Sequence, residues 1–108
     1  MRLFGLKSCD TSRAALRALR NAGIEPVVID IRDDGVASAD LAAMLNALGP
    51  GVLNRASTTW RALTETDRSR DLADLLAAYP TLMKRPVIEV SGVWLMGWSK
   101  DTQSRLLG

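Results

Sequence analysis

The 108-residue sequence predicts an α/β fold: a mixed four-stranded sheet, opened by a β-α-β unit, closed by a β-β-α unit and carrying a helical insertion between them. Three observations carry that expectation. Near the N-terminus an apolar run passes through a short polar bend into an amphipathic helix and then a β-branched run. Near the C-terminus two apolar runs are separated only by Ser91-Gly92, and between the two halves leucines recur at helical spacing.

Arg2 to Leu6 reads as a buried strand, followed by the polar bend Lys7-Ser8-Cys9-Asp10 and a helix starting at Cys9 or Asp10. Along that helix Arg13, Arg17 and Arg20 share one face, while Ala15, Leu16, Leu19 and Ala22 cover the opposite one, and Gly23 stops it. Pro26 to Ile31 is β-branched and bounded by turn formers, so it completes a β-α-β unit with parallel pairing. Asp33-Asp34-Gly35 turns the chain, and Ser38 is placed to cap a second helix through Leu41, Met44, Leu45 and Leu48. Gly51 to Thr66 lacks clear periodicity, and a third helix is expected from Arg68 to Tyr79. After Pro80, Val87-Ile88-Glu89-Val90 and Val93-Trp94-Leu95-Met96 form a β-hairpin about Ser91-Gly92, where glycine tolerates positive φ. Ser99 caps a last helix through Leu107. One domain over residues 1–108 follows, with a thioredoxin-like core from about 1–32 and 80–108 and the insertion at about 36–79. A doubly wound sheet would need more βα units.

Composition narrows the chemistry. With one cysteine and no histidine, the chain excludes an internal disulfide, a Cys/His zinc site and every histidine-based triad, so no metal is expected. A net charge of +2, from 14 basic residues (eleven of them arginine) against 12 acidic, does not argue for a nucleic-acid or membrane surface. Met1-Arg2-Leu3-Phe4-Gly5 carries no signal core or cleavage site, so a cytoplasmic protein is expected, with a monomer as the default.

The residue with chemistry is Cys9. A cysteine inside a strand or on an apolar helix face is normally an inert core residue. Cys9 instead follows a strand and opens a helix, where free backbone N–H groups and the positive end of the helix dipole favour the thiolate. Such positions bring a thiol from about 8.5 to roughly 3.5–7.5, and a drop of two units favours the anion by about 2.7 kcal/mol. Lys7 would add to this effect and Asp10 oppose it. Ser12 occupies the second-cysteine place of a Cys-x-x-Cys motif; it either donates to the thiolate or is an ordinary first-turn serine. Without a second cysteine, any disulfide formed by Cys9 joins it to another molecule and is resolved by an outside thiol, of which glutathione is the obvious small candidate.

Three segments taken together resemble the ArsC/Spx/YffB family, most closely its YffB-like branch. They are Gly5-Leu6-Lys7-Ser8-Cys9-Asp10-Thr11, Val52-Leu53-Asn54-Arg55 with Thr58-Thr59-Trp60-Arg61, and Pro80-Thr81-Leu82-Met83-Lys84-Arg85-Pro86-Val87. The resemblance implies a thioredoxin-like fold, Cys9 as the nucleophile, and Arg55 and Arg85 as anion-binding arginines, whose planar donors suit an oxyanion or a glutathione carboxylate. It also implies that Pro86 is cis beside the cysteine, and it makes Lys7, Asp10, Thr11 and Ser12 supporting residues. No tightly bound cofactor is implied; glutathione is the expected cosubstrate, and glutaredoxin or another protein a possible partner. Two departures matter. Gly97 stands where arsenate reductases have a further arginine, which weakens an arsenate site, and Ser12 removes the Cys-x-x-Cys switch of Spx-type regulators. Two functions therefore stand side by side: a glutathione-dependent thiol/disulfide reductase, and an Spx-like protein-binding module in which Cys9 is vestigial or a sensor. Trp60, Trp94 and Trp98 do not decide between them.

Overall fold

The computed structural model describes all of residues 1–108. Four strands, β1 (Arg2–Gly5), β2 (Val27–Asp30), β3 (Val87–Val90) and β4 (Val93–Met96), form one sheet in the order β2-β1-β3-β4. β1 pairs parallel to β2 and antiparallel to β3, and β3 pairs antiparallel to β4. The sheet is therefore mixed, and the parallel pair is the one joined through helix α1 (Asp10–Asn21). The hairpin turn places Ser91 at φ 50° and Gly92 at φ 80°, the conformation that two-residue hairpins require at both central positions.

Alternation along β1 divides the core. Leu3 lies opposite Ile88 and packs with Ala15 and Leu19 of α1 on one face, where Leu106 of α6 (Lys100–Leu107) and Trp98 join them. Phe4 lies opposite Val87 and faces the other way, into a larger cluster with Leu41 and Met44 of α2 (Ser38–Leu48) and Leu75 and Leu76 of α5 (Leu72–Ala78). A one-residue slip of β1 would exchange these faces, so the two clusters hold its register. The arginine face of α1 points to solvent, as its pattern predicts, while Ala15 and Leu19 are fully buried.

Residues between β2 and β3 form α2, a 3-10 turn Gly49–Val52, α3 (Thr58–Ala62), α4 (Glu65–Arg68), α5 and a second 3-10 turn Pro80–Leu82. Three local expectations are corrected here. Ala37, not Ser38, occupies the N-cap of α2, and Ser38 is its first helical residue. The helix expected from Arg68 to Tyr79 is two, α4 and α5, broken at Ser69-Arg70-Asp71, because Thr64 caps a separate short turn whose amide acceptors are local. The stretch without periodicity holds α3, capped by Ser57 Oγ accepting from Trp60 N–H at 3.1 Å; a helix of five residues is too short to show a period. Capping of α6 by Ser99 is as expected, with Oγ accepting from Thr102 N–H at 3.2 Å.

The insertion is tied to the sheet end that carries the first helix. Leu53 and Met83 form an isolated antiparallel bridge, Asn54 N–H donates to Leu82 O at 2.7 Å, and Lys84 N–H donates to Val52 O at 2.7 Å. That clasp brings two loops distant in sequence together beside Cys9.

Candidate active site

Cys9 is the N-cap of α1, in extended conformation at φ −87° and ψ 121°. Its N–H donates to Leu6 O at 3.1 Å and its carbonyl accepts from Arg13 N–H at 3.0 Å, so the backbone of the bend is fixed on both sides. The first-turn amides of Asp10, Thr11 and Ser12 have no backbone acceptor, and the half-buried Cys9 sits at the positive end of the helix dipole.

The Cys9 thiol lies below its ordinary pKa. Partial burial is the largest single influence and pushes the value up; the Ser12 hydroxyl, the Ser12 amide, and the hydrogen bond and charge of the Arg85 guanidinium together push it further down. Ser12 is suited to this. It is buried, and its Oγ already accepts from Leu6 N–H at 3.3 Å, which frees its own hydrogen to be donated. Ser12 is thus able to donate to the sulfur. Room for that hydroxyl depends on Gly5: a Cβ there would lie 2.6 Å from Ser12 Oγ and 2.9 Å from its Cβ.

The bend is held by a residue that the sequence reading did not single out. Asp30, at the end of β2, is 4 % exposed and accepts from Lys7 N–H at 3.1 Å, Arg32 N–H at 2.9 Å and Asp33 N–H at 2.8 Å. The Asp33 amide first, then those of Lys7 and Arg32, hold its carboxyl below the ordinary range against the opposing effect of burial. An aspartate closing a strand before Arg-Asp-Asp-Gly is a recognisable Asx-turn signal; the bond to Lys7 across the sheet is not.

Arg85 donates from Nη1 to Thr81 O at 2.9 Å, and its buried Nε has no partner. The Arg85–Pro86 peptide is cis, as the resemblance implied, and Pro86 O accepts from Gly97 N–H at 2.7 Å. Cys9 and Arg85 together border two clefts. One, of about 320 Å³, is walled by Arg32 and the hydroxyls of Ser57, Thr58, Thr59 and Thr81. The other, of about 460 Å³, runs past Thr11, Asn54, Lys84, Met96, Gly97 and Trp98. No carboxylate lines either cleft.

The remaining expected residues fall elsewhere. Arg55 is exposed, borders neither cleft and lies over the Trp60 ring at 5.9 Å, where Arg68 approaches at 5.2 Å. Lys7 is exposed, with Nζ 3.5 Å from Asp33 Oδ2, so it supports the bend through its backbone amide. Asp10 points outward and pairs with Arg13. The residues that sequence reasoning missed are Asp30, Arg32 and the hydroxyls opposite Cys9, of which Thr59 and Thr81 meet at 3.2 Å. No group of three or more Cys, Asp or Glu side chains is placed to hold a metal ion, and no helix is long and apolar enough to cross a membrane.

Comparison with known proteins agrees with this geometry. The profile of the ArsC family matches residues 4–106. An uncharacterised protein of Haemophilus influenzae is 38% identical over 104 residues, covering 91% of this chain and 90% of that one. An arsenate reductase of Rhizobium meliloti is 36% identical over 87 residues, covering 75% of this chain and 62% of that one. Among solved structures, a YffB protein superposes with a TM-score of 0.89 at 33% identity, over 99% of this chain and 98% of that one. An arsenate reductase of Vibrio cholerae shares the fold, with a TM-score of 0.78 at 22% identity over 99% and 96% of the two chains. The mixed sheet with its helices is thus the ArsC-like form of the thioredoxin fold.

Proposed function

Because the chain belongs to the ArsC family, whose arsenate reductase-like members are thiol-based reductases, we propose that it is a glutathione-dependent thiol/disulfide oxidoreductase working through Cys9 alone. The observation that carries this reading is the set of donors gathered on one sulfur: the first-turn amides, the Ser12 hydroxyl and the Arg85 guanidinium. Each favours thiolate over thiol, and the thiolate is the nucleophile in disulfide exchange.

The chemistry balances with one cysteine. Cys9 S⁻ attacks a disulfide R–S–S–R′, forming Cys9–S–S–R and expelling R′S⁻, which takes a proton from solvent. Glutathione thiolate then attacks R in the mixed disulfide, forming glutathione–S–S–R and releasing Cys9 S⁻. Each step breaks one S–S bond and forms another, so the net change is R–S–S–R′ plus glutathione thiolate to glutathione–S–S–R plus R′S⁻, with Cys9 unchanged after a cycle. Ser12 and Arg85 stabilise the sulfur anion that departs in the second step as well as the one that attacks in the first. The reaction suits a reducing compartment such as the cytoplasm. Arsenate reduction is expected to be weak, since Gly97 offers no guanidinium to the cleft it borders.

The test is alkylation of Cys9 by iodoacetamide across pH, joined to mass spectrometry after exposure to glutathione disulfide. Half-maximal reactivity below the ordinary thiol range, a glutathione adduct on Cys9, and its removal by reduced glutathione are the expected results. An ordinary thiol midpoint with no adduct would sink the reductase and leave the protein-binding alternative.

A further inference from the structure

Resting on the reductase reading, we infer that Arg32 is a substrate-recognition residue, and that it and Arg85 clamp the anionic part of the substrate inside the hydroxyl-lined cleft. Nothing in the family resemblance assigns Arg32; of the two arginines that it did assign, Arg85 borders both clefts and Arg55 lies on Trp60 outside them.

Like Arg32, Arg17, Arg55, Arg61 and Arg70 lack a salt bridge and a side-chain hydrogen bond, but of these unpaired arginines only Arg32 borders a cleft with Cys9. Arg2 binds Asp40 and Glu89, Arg13 binds Asp10, Arg20 binds Glu25 and Arg105 binds Asp101. Arg68 gives its donors to the Trp60 and Arg61 carbonyls. Arg32 has neither a salt bridge nor a side-chain hydrogen bond, although Asp33 and Asp34 follow it directly. Asp33 pairs with Lys7, and Asp34 Oδ2 accepts from Asp30 N–H at 2.8 Å. The local carboxylates are thus turned to the bend, and the Arg32 backbone is held by its N–H to Asp30. The same cleft is bordered by Arg85, whose buried Nε has no partner, and its remaining lining is hydroxyl-rich with no acidic residue. Two guanidiniums with free donors facing hydroxyls are complementary to an anion.

The cleft volume of about 320 Å³ lies near the lower limit of small-molecule sites, roughly 300–1,000 Å³, and is many times the share of about 30 Å³ that one water takes in the liquid. It therefore suits a peptide carboxylate, such as that of glutathione bound through its sulfur to Cys9, better than a lone tetrahedral oxyanion, although both present the same chemistry to Arg32.

Two aromatic disulfides separate charge recognition from thiol reactivity: dithiobis(nitrobenzoate), which carries two carboxylates, and neutral dithiodipyridine. In each, Cys9 S⁻ displaces one coloured aryl thiolate and keeps the other half as a mixed disulfide. Arg32→Gln should slow dithiobis(nitrobenzoate) about three- to tenfold and leave dithiodipyridine within about twofold, with the pH midpoint of Cys9 unchanged. Arg17→Gln, on the exposed face of α1, should alter neither. Equal slowing of both reagents by Arg32→Gln, or slowing of neither, would overturn the clamp. Protection of Cys9 from dithiodipyridine by S-methylglutathione that is lost in Arg32→Gln identifies the peptide carboxylate; the same result with inorganic phosphate identifies a tetrahedral oxyanion. Protection by neither ligand overturns the assignment. A wild-type Cys9 with an ordinary midpoint would refute the reductase while leaving the reagent ratio readable, so the two failures are distinguishable.

Discussion

Two groups of arginines, one around Trp60 and one beside Cys9, behave oppositely. Around Trp60, Arg68 donates to two backbone carbonyls of α3 and lies over the ring, and Arg55 lies over the same ring, so both guanidiniums are engaged away from the cysteine. Beside Cys9, Arg85 retains a buried donor without a partner, Arg32 has no partner at all, and hydroxyls take the place of carboxylates. The difference teaches that arginine content does not locate an anion site; unengaged donors bordering the cleft of a reactive cysteine do.

The comparison can be broken or sharpened by mutation, and the largest effect is expected at Asp30. Asp30→Asn puts an amide NH₂ against one of the three N–H groups that the carboxylate accepts, and should lower unfolding free energy by about 2–3 kcal/mol in urea titrations near pH 7. Its folded pKa is depressed, so its stabilisation is present above the ordinary aspartate range and disappears as pH falls through the lower, folded value. The wild type should therefore lose stability on acidification and converge toward the variant; parallel curves would show that Asp30 does not brace the bend.

Next in size is Gly5→Ala, whose methyl would collide with Ser12, and a loss of about 1–3 kcal/mol is expected together with a higher Cys9 midpoint as the hydroxyl is displaced. Thermal unfolding and iodoacetamide kinetics on the same sample read both effects. A stability loss with an unmoved midpoint would remove Ser12 from the thiolate's support.

Arg85→Gln takes away a hydrogen bond and a positive charge from the sulfur, so the Cys9 midpoint should move up and alkylation at pH 6 should slow about three- to tenfold. Ser12→Ala should shift it in the same direction. Arg55→Gln is the smallest: with only the Trp60 stacking lost, a change of at most about 0.5–1 kcal/mol is expected and no movement of the Cys9 midpoint. A midpoint shift in Arg55→Gln matching that of Arg85→Gln would erase the contrast between the two regions.

What the sequence alone determined follows from patterns short enough to be local. The strand-bend-helix around Cys9, the Ser91-Gly92 hairpin, the Ser99 cap and the apolar face of α1 each depend on neighbours within a few turns, and each stands in the structure where it was expected. The absence of histidine and of a second cysteine narrowed the chemistry before any coordinate was needed. Local signals failed where helices were too short to show a period, as at α3 and α4, and at α2, whose N-cap position falls on Ala37 with no side-chain cap bond.

Tertiary structure alone decided which residues share the cleft. Cys9, Arg32, Ser57 to Thr59 and Arg85 come from four separate stretches of chain, and the Leu53–Met83 bridge with its two flanking backbone bonds, together with the Thr59–Thr81 hydroxyl contact, draws the last two stretches together. The same packing assigned Arg55 to Trp60 and Arg85 to the sulfur, though both had entered as equivalent guanidiniums. The physical reason is range: a cap or hairpin is settled by steric and hydrogen-bonding preferences between adjacent residues, whereas the partner of a long charged side chain depends on which distant backbone the core has brought within its reach.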